Sequence, residues 1–148
     1  MCDTVYLITV VLPELSLHMS LSNRITACPF CSVSADAVRA SSVYAVAFFD
    51  CFPVSPCHTL VIPRRHVASI YELSDPELGD LWGLVAAVRR QLSAATDAIG
   101  FNIGVNDGIA AGQTVVHAHI HVIPRREGDV DDPRGGIRWV IPEKARYW

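Results

Sequence analysis

The stretch Thr114–Ile123, TVVHAHIHVI, places His117, His119 and His121 at every second position. Successive side chains of a strand point to opposite faces, so a strand here sets all three imidazoles on one face. Histidine is only an intermediate core residue, and three in a row on one face indicate a polar site rather than packing. A metal site built from the three histidines is the alternative that the spacing leaves open. The residues predicted to face the core are Val116, Ala118, Ile120 and Val122.

The loop before this strand carries groups that suit an anion. Gly112 lets the backbone approach a ligand closely, and Gln113 and Thr114 bring an amide and a hydroxyl. Backbone N–H groups in such a turn can cradle an anion. The loop is therefore predicted to contribute donors beside the histidines.

Elsewhere the pattern predicts three more strands and one long helix. Val43–Phe49 and His58–Ile62 lie on either side of a proline-containing turn, which predicts a hairpin. Phe101–Val105 is a third strand, and Pro124 is predicted to end the strand of the histidines. Strands, one helix and then strands again indicate an α+β fold, with a sheet that carries the long helix on one face.

The helix is predicted to begin after Ser74, where Glu77 completes a capping box and Pro76 stands in the first turn. Gly100 is predicted to stop it. Apolar residues recur at helical spacing and define the face that packs on the core. This face comprises Leu78, Leu81, Trp82, Val85, Val88 and Leu92.

The whole chain fits one domain and lacks an electrostatic signature for nucleic acid. It has 148 residues, 18% of them charged, and a net charge of −3, whereas nucleic-acid binding usually needs a basic face. The apolar run Val5–Leu17 is shorter than the roughly 20 residues of a membrane helix and lacks the positive start of a signal peptide. Residues 1–18 are therefore interpreted as an N-terminal extension and residues 19–148 as the domain, with no membrane partner.

The five cysteines favour a cytoplasmic location, because their number is odd and the chain is not a short secreted disulfide scaffold. Cys28 and Cys31 are spaced as Cys-x-x-Cys. This pair by itself is compatible with a redox motif, half of a zinc site or two unconnected thiols. A redox pair normally opens a helix in a βαβ unit, which the pattern lacks, and tetrahedral zinc needs two further ligands.

Two segments closely resemble the histidine-triad family. Asn106–Arg125 is similar to the family's signature, and Phe48–His66 is similar to its first hairpin. The resemblance spans roughly Cys28–Arg126 with the spacing intact. It implies the family's fold, an antiparallel sheet with one long helix on one face. It also implies a nucleotide as the small-molecule partner and a homodimer formed through the long helix and a sheet edge.

The resemblance also implies a role for each residue of the motif. His119, the middle histidine, matches the family's nucleophile, and His121 lies near the α-phosphate and its bridging oxygen. Neutral imidazole attacks well near neutral pH when its other nitrogen donates to a backbone carbonyl. His58 recurs at its family position, with its role open. The implied substrate-binding residues are Phe48 for the base, Asp50 for the ribose, Asn106 for phosphate or ribose, and Gly112, Gln113 and Thr114 for phosphate.

The resemblance further supplies two ligands for the cysteine pair. His66 and His117 match the zinc histidines of cysteine-containing relatives, so zinc is implied on Cys28, Cys31, His66 and His117. Four protein ligands close a tetrahedral site, which makes this zinc structural and unable to activate water.

The implied activity is hydrolysis at the α-phosphate of dinucleoside polyphosphates or adenylyl phosphoramidates, through a covalent nucleotidyl-histidine. A nucleotidyltransferase and a non-catalytic nucleotide-binding module are the alternatives.

Two features depart from better-known relatives. Cys57 stands where they often have a small Gly or Thr, and the tail after Arg126 is predicted to end in a short strand and a Pro-Glu-Lys turn.

Overall fold

The computed structural model describes residues 28–148, which form an α+β fold. A five-stranded antiparallel sheet has the strand order β1-β2-β3-β5-β4, and the long helix α1 packs on one of its faces. The strands are β1 Val38–Ser41, β2 Ala45–Phe49, β3 Thr59–Pro63, β4 Gly100–Val105 and β5 Ile120–Arg125; the helices are α1 Asp75–Ala95 and α2 Pro142–Ala145. The predicted fold class is confirmed, whereas the predicted extension, residues 1–18, lies outside the described residues.

The predicted hairpin is present as the antiparallel pair β2–β3, in which Ala47 lies opposite Val61. Its turn is closed by a hydrogen bond from the Asp50 N–H to the His58 carbonyl at 2.9 Å. Cys57, just before His58, has a φ of 66°. This left-handed conformation favours glycine and is uncommon for a residue with a side chain.

The helix α1 begins as predicted and ends earlier than predicted. Glu77 accepts from the Ser74 N–H at 2.9 Å, which is one half of the capping box. The helix ends at Ala95 because the Thr96 hydroxyl and N–H both donate to the Leu92 carbonyl, at 2.7 and 3.0 Å. Gly100 does not stop the helix, since it lies five residues after Ala95 and is the first residue of β4.

The buried face of α1 differs from the prediction at one residue. Trp82 is 43% exposed, whereas Leu84, which is not part of the predicted face, is buried. With about 100° of rotation per residue, Trp82 lies about 100° round the helix from the buried Leu81, whereas Leu84 lies only about 60° from it on the other side. The buried residues of α1 are Leu81, Leu84, Val85, Val88 and Leu92.

The sheet separates two apolar clusters. Alternate residues of each strand face α1, and the others face a smaller cluster closed by Phe30 and Val33. The sheet residues on the α1 side include Ala45, Ala47, Val61, Ile120 and Val122. Those on the opposite side are Val46, Phe48, Leu60 and Ile62. The face opposite α1 is thus only thinly covered, which leaves room for a site.

The predicted strand Thr114–Ile123 is regular only from Ile120 onward. The preceding residues form a tight irregular segment, in which the His117 N–H donates to the Val115 carbonyl and the Ala118 N–H to the Val67 carbonyl. Val116 is consequently 58% exposed rather than directed into the core.

The other end of β5 extends to Arg125, one residue beyond Pro124. Strand β5 pairs with β3 only as far as Val122. Pro124, which has no N–H, therefore removes no inter-strand hydrogen bond to β3.

The tail adopts helical turns instead of the predicted short strand. Residues Gly136–Val140 form a 3₁₀ helix, and Pro142–Ala145 form α2. The guanidinium of Arg138, in the first of these helices, donates to the carbonyls of Lys144 and Ala145 in the second. Between residues 28 and 148, no helix combines the length and the apolarity that a bilayer crossing requires.

Leu84→Ala is predicted to lower the free energy of unfolding by about 2–5 kcal/mol, because it opens a cavity between α1 and the sheet. Arg90→Ala, at an exposed position of the same helix, is the control and should change it by less than about 0.5 kcal/mol. Urea unfolding followed by circular dichroism measures both. A cost for Leu84→Ala as small as that of the control would contradict the assigned helix face.

Candidate functional site

The centre of the site is the imidazole of His119, which is 5% exposed and lies on the face opposite α1. Its Nδ1 is 2.7 Å from the carbonyl oxygen of His117. A carbonyl can only accept, so Nδ1 carries the proton and Nε2 carries a lone pair. The carbonyl partner that the resemblance implies for the nucleophile is thus the backbone of the first histidine.

The ring of His121 lies beside that of His119, with 5.0 Å between the ring centroids. Its Nδ1 is 3.0 Å from Nε2 of His58, and the two rings stack at 5.1 Å. Burial first, and then the neighbouring His119 and His58, lower the pKa of His121 from 6.5 to about 4, against an opposing effect of Asp50. His121 is therefore a neutral ring near neutral pH.

His58 contributes more to the site than the sequence indicated. It is 2% exposed, and its Nδ1 lies 3.3 Å from a carboxylate oxygen of Asp50. Burial lowers the pKa of His58, and the carboxylate of Asp50 partly opposes this shift. The other oxygen of Asp50 accepts from the Phe52 N–H at 2.9 Å. Both oxygens of Asp50, the residue that the resemblance assigns to the ribose, therefore already have protein partners.

Asn106 and His121 line one cavity of about 320 Å³ together with Asp50. The tail reaches the same cavity through Ile137 and Val140, which close it on the side of β4. Three of the predicted site residues therefore surround one space, and the tail forms part of its wall.

Phe48 belongs to the small apolar cluster on the histidine face, not to the main core under α1. The ring of Phe30 connects the two regions, because it meets Phe48 at 5.5 Å and His119 at 5.2 Å, both edge to face. The result is an apolar wall next to the imidazoles.

The loop that precedes the histidines is supported by Gln113. Its side-chain oxygen accepts from the Gly108 N–H at 2.9 Å, and its amide nitrogen donates to the Ala68 carbonyl at 2.7 Å. Gly112 has a φ of 87°, as a left-handed cap of the preceding turn. Gln113 thus holds the loop in place, while Thr114 is exposed and available.

A second cluster brings together Cys28, Cys31, His66 and His117, whose ligand atoms all lie within 4.8 Å of one another. Nδ1 of His117 is 3.6 Å from each cysteine sulfur, and Nδ1 of His66 is 3.2 Å from that of Cys31. Tetrahedral zinc, with bonds of about 2.3 Å to sulfur and about 2.0 Å to nitrogen, sets such atoms about 3.5 Å apart.

The tautomer of His117 also fits a metal ligand. Its Nε2 donates to the Pro63 carbonyl at 2.9 Å, which leaves the lone pair on Nδ1, toward the sulfurs. The ring is fully buried, and burial is the main cause that lowers its pKa. A neutral imidazole oriented by a carbonyl is what zinc coordination requires, so this group of four can hold a metal ion.

The sequence and fold match known proteins across this region. The HIT domain model matches residues 34–128. The asymmetrical bis(5'-nucleosyl)-tetraphosphatase of Schizosaccharomyces pombe is 41% identical over 88 residues, which cover 60% of this chain and 48% of that protein. The Bacillus subtilis protein named Protein hit is 36% identical over 102 residues, or 66% of this chain and 70% of that one.

Solved structures agree with these matches. A Streptococcus mutans protein superimposes with a TM-score of 0.66 at 32% identity, covering 82% of this chain and 84% of the other. A HIT-family member from Bacillus subtilis has a TM-score of 0.64 at 34% identity, covering 70% and 76%. The chain belongs to the histidine-triad (HIT) family. It spans about half the length of the fission yeast tetraphosphatase.

His121 is predicted to take up a proton with a midpoint near pH 4, as measured by ¹H–¹⁵N NMR of the imidazole nitrogens. The unfolded histidine titrates near 6.5, so the folded state binds fewer protons between these values. The contribution of His121 to the free energy of unfolding is therefore complete above pH 6.5 and is lost as the pH falls toward 4. The spectrum of His121→Asn assigns the signal, and a midpoint close to 6.5 would contradict the buried neutral ring.

Proposed function

We propose that this protein is a nucleotidyl hydrolase that cleaves dinucleoside polyphosphates or adenylyl phosphoramidates at the α-phosphate. The hydrogen bond from Nδ1 of His119 to the His117 carbonyl carries this proposal, because it leaves a nucleophilic lone pair on Nε2. Similarity to a dinucleoside tetraphosphatase supports the substrate class. Binding alone does not require a nucleophile prepared in this way.

The reaction proceeds in two halves. Nε2 of His119 forms a bond to the α-phosphorus while the bond from phosphorus to the leaving group breaks. The attacking ring becomes positive, and the His117 carbonyl, which accepts its Nδ1–H, stabilises that charge. Water then attacks the phosphorus and gives up a proton to the solvent, the phosphorus–nitrogen bond breaks, and His119 returns to its neutral form.

The phosphate is held by the loop before the histidines. The exposed Thr114 hydroxyl donates to its oxygens, while Gln113 keeps the loop in position through Gly108 and Ala68. The N–H groups of residues 111–113 already donate to carbonyl groups inside the loop and do not serve as phosphate donors. Asn106 lines the adjoining cavity and adds an amide for phosphate or ribose.

The nucleoside packs against the apolar wall of the site. Phe48 and the edge of Phe30 take the base, and Asp50 accepts from a ribose hydroxyl in addition to its bond with the Phe52 N–H. A carboxylate oxygen can accept more than one hydrogen bond, so the existing partners of Asp50 do not exclude this role.

Zinc is proposed as the metal of the four-residue group, held by Cys28, Cys31, His66 and His117. When bound, it supplies a rigid structural anchor and no catalytic water, because all four positions are protein ligands. The anchor restrains His117, whose carbonyl orients His119. In this way the metal group supports the nucleophile without contacting the phosphate.

The protein is further proposed to form a homodimer and to reside in the cytoplasm. Among the described residues, β4 lies at the edge of the sheet, and the exposed Trp82 and Ile99 offer apolar surface near it and on α1. An exposed strand edge is a ready surface for pairing with a second chain.

His119→Ala is predicted to lower turnover by several orders of magnitude while nucleotide binding persists, because the variant loses the attacking nitrogen. Hydrolysis of diadenosine tetraphosphate, diadenosine triphosphate and adenosine phosphoramidate is the assay, and calorimetry measures binding of AMP. His18→Ala, in the predicted N-terminal extension, is the histidine control. Turnover of His119→Ala at the wild-type rate would refute the mechanism, and substrate binding without turnover by the wild type would favour the non-catalytic alternative.

Protein purified without chelator is predicted to contain about one zinc ion per chain, measured by mass spectrometry of the metal. Cys28→Ser should lose the zinc and melt at a lower temperature, because metal binding is coupled to folding. Cys51→Ser is the matched control, since Cys51 is an exposed free cysteine outside the group. The zinc assignment fails if the wild type is metal-free and Cys28→Ser melts at the same temperature.

A further inference from the structure

The two cysteines of the Cys-x-x-Cys pair lie at the two ends of one short turn. Residues Pro29–Ser32 form a 3₁₀ helix with Cys28 as its N-cap, and the Cys31 N–H donates to the Cys28 carbonyl at 3.2 Å. A hydrogen-bonded turn of four residues sets its end Cα atoms less than about 7 Å apart. Disulfides bridge Cα atoms about 4.4–6.8 Å apart, so this backbone suits a disulfide as well as a shared metal ion.

One sulfur of the pair is accessible from outside. Cys31 is an exposed free cysteine, whereas Cys28 is half-buried. Cys31 also lines a surface cavity of about 450 Å³ together with Phe30 and Pro63. A small oxidant therefore reaches Cys31 first, and Cys28 is the second thiol at the other end of the turn.

The same two sulfurs contact the residue that orients the nucleophile. Nδ1 of His117 lies 3.6 Å from each sulfur, and its Nε2 donates to the Pro63 carbonyl. The backbone carbonyl of His117 accepts from Nδ1 of His119. Because the ring of His117 is fully buried, solvent does not replace a partner that its Nδ1 loses. A change at the sulfurs therefore reaches His119 through one residue.

We propose that Cys31 and Cys28 form a peroxide-sensitive modification site, whose oxidation to a disulfide releases the metal ion and inactivates the nucleophile His119. The oxidant is a hydroperoxide, which is small enough to enter the cavity beside Cys31. The proposal adds a chemical modification to the hydrolase function, and it rests on the zinc ligands and the nucleophile proposed above.

The oxidation takes two steps and transfers two electrons from sulfur to the peroxide. In the first step the Cys31 sulfur attacks one oxygen of hydrogen peroxide, a sulfur–oxygen bond forms and the oxygen–oxygen bond breaks. In the second step the Cys28 sulfur attacks the Cys31 sulfur, the disulfide bond forms and the sulfur–oxygen bond breaks. Each step releases hydroxide, which takes a proton from a thiol or from solvent, so the products are one disulfide and two water molecules.

The disulfide cannot serve as a metal ligand. Zinc is bound by thiolate sulfur, so oxidation removes two of the four donors and leaves only His66 and His117. Two imidazoles do not complete a tetrahedral site, and the ion dissociates. His117 is then no longer restrained, and its carbonyl no longer fixes the proton of His119 on Nδ1. A dithiol reductant reverses the modification by thiol–disulfide exchange.

The modification is measured on a single peptide. The tryptic peptide of residues 25–39 contains Cys28 and Cys31 and no other cysteine. Zinc-loaded protein is treated with hydrogen peroxide, quenched with catalase and digested without reductant. The mass of this peptide should fall by two hydrogen atoms, and a chromogenic chelator should detect about one released zinc ion per chain. A peptide that stays a dithiol under conditions that oxidise Cys51 would overturn the site.

The effect on the nucleophile is measured by ¹H–¹⁵N NMR of the imidazole nitrogens, with the spectrum of His119→Ala to assign the signals. The reduced protein should carry the proton on Nδ1 of His119, and the oxidised protein should add a tautomer with the proton on Nε2. Turnover should fall by about 10²-fold, the scale of a displacement of about 1 Å at a reacting group. Dithiothreitol with zinc should restore both the signals and turnover.

Two results separate this proposal from the hydrolase function. A disulfide-linked protein with unchanged His119 signals would overturn the proposal. A protein that shows the disulfide, the zinc release and the new tautomer, and that has no turnover even when reduced, would support the modification and refute the hydrolase function alone.

Cys31→His separates metal binding from oxidation, because imidazole can hold zinc and cannot form a disulfide. This variant should keep its zinc and its turnover after peroxide treatment, whereas the control Cys51→Ser, at an exposed free cysteine, should respond as the wild type does. Loss of zinc from Cys31→His at the wild-type rate, or a Cys51→Ser protein that resists peroxide, would overturn the proposal. The peptide mass and the NMR signals of the wild type decide it even where Cys31→His fails to fold.

Discussion

The hydrogen bond from Nδ1 of His119 to the carbonyl oxygen of His117 connects the two clusters of the site. The side chain of His117 lies in the group with Cys28, Cys31 and His66, and its backbone carbonyl accepts the hydrogen bond from His119. Any displacement of His117 therefore changes the tautomer or the direction of His119. The local backbone departs from the strand ladder to make this bond, and the Ala118 N–H compensates by donating to the Val67 carbonyl at 2.7 Å.

The two faces of the sheet are covered unequally, and the imidazoles lie on the less covered face. The helix α1 covers one face and buries the main apolar cluster, so the opposite face is free to carry imidazoles over a smaller cluster around Phe48. Burial there keeps His121 neutral, with a pKa of about 4, and the neighbouring Asp50 limits the same effect on His58. The face is dry enough to favour neutral rings and still contains a carboxylate that can stabilise a cation.

Local patterns predicted the regular elements well. The hairpin, the start of α1 after Ser74 and the alternation of Ala118, Ile120 and Val122 follow from short-range periodicity and capping chemistry. The errors lie where tertiary contacts prevail. Apolar spacing alone predicts Trp82 inside, although it lies about 100° round the helix from Leu81 and is exposed. Strand β1 escapes prediction because Val38–Ser41 is a short segment with a mixed pattern.

The sequence by itself determined the chemistry of the site, because the Cys-x-x-Cys pair and three histidines at alternate positions can be read without coordinates. Only the tertiary structure decided which atoms meet. It brings His117 next to Cys28 across 89 positions of the chain, and His58 next to His121 across 63. The contact between His58 and His121 depends on the register of β3 against β5, in which Leu60 lies opposite His121 and apolar residues of both strands pack under α1. No local pattern encodes that register, so the tautomers that it sets became visible only in the folded chain.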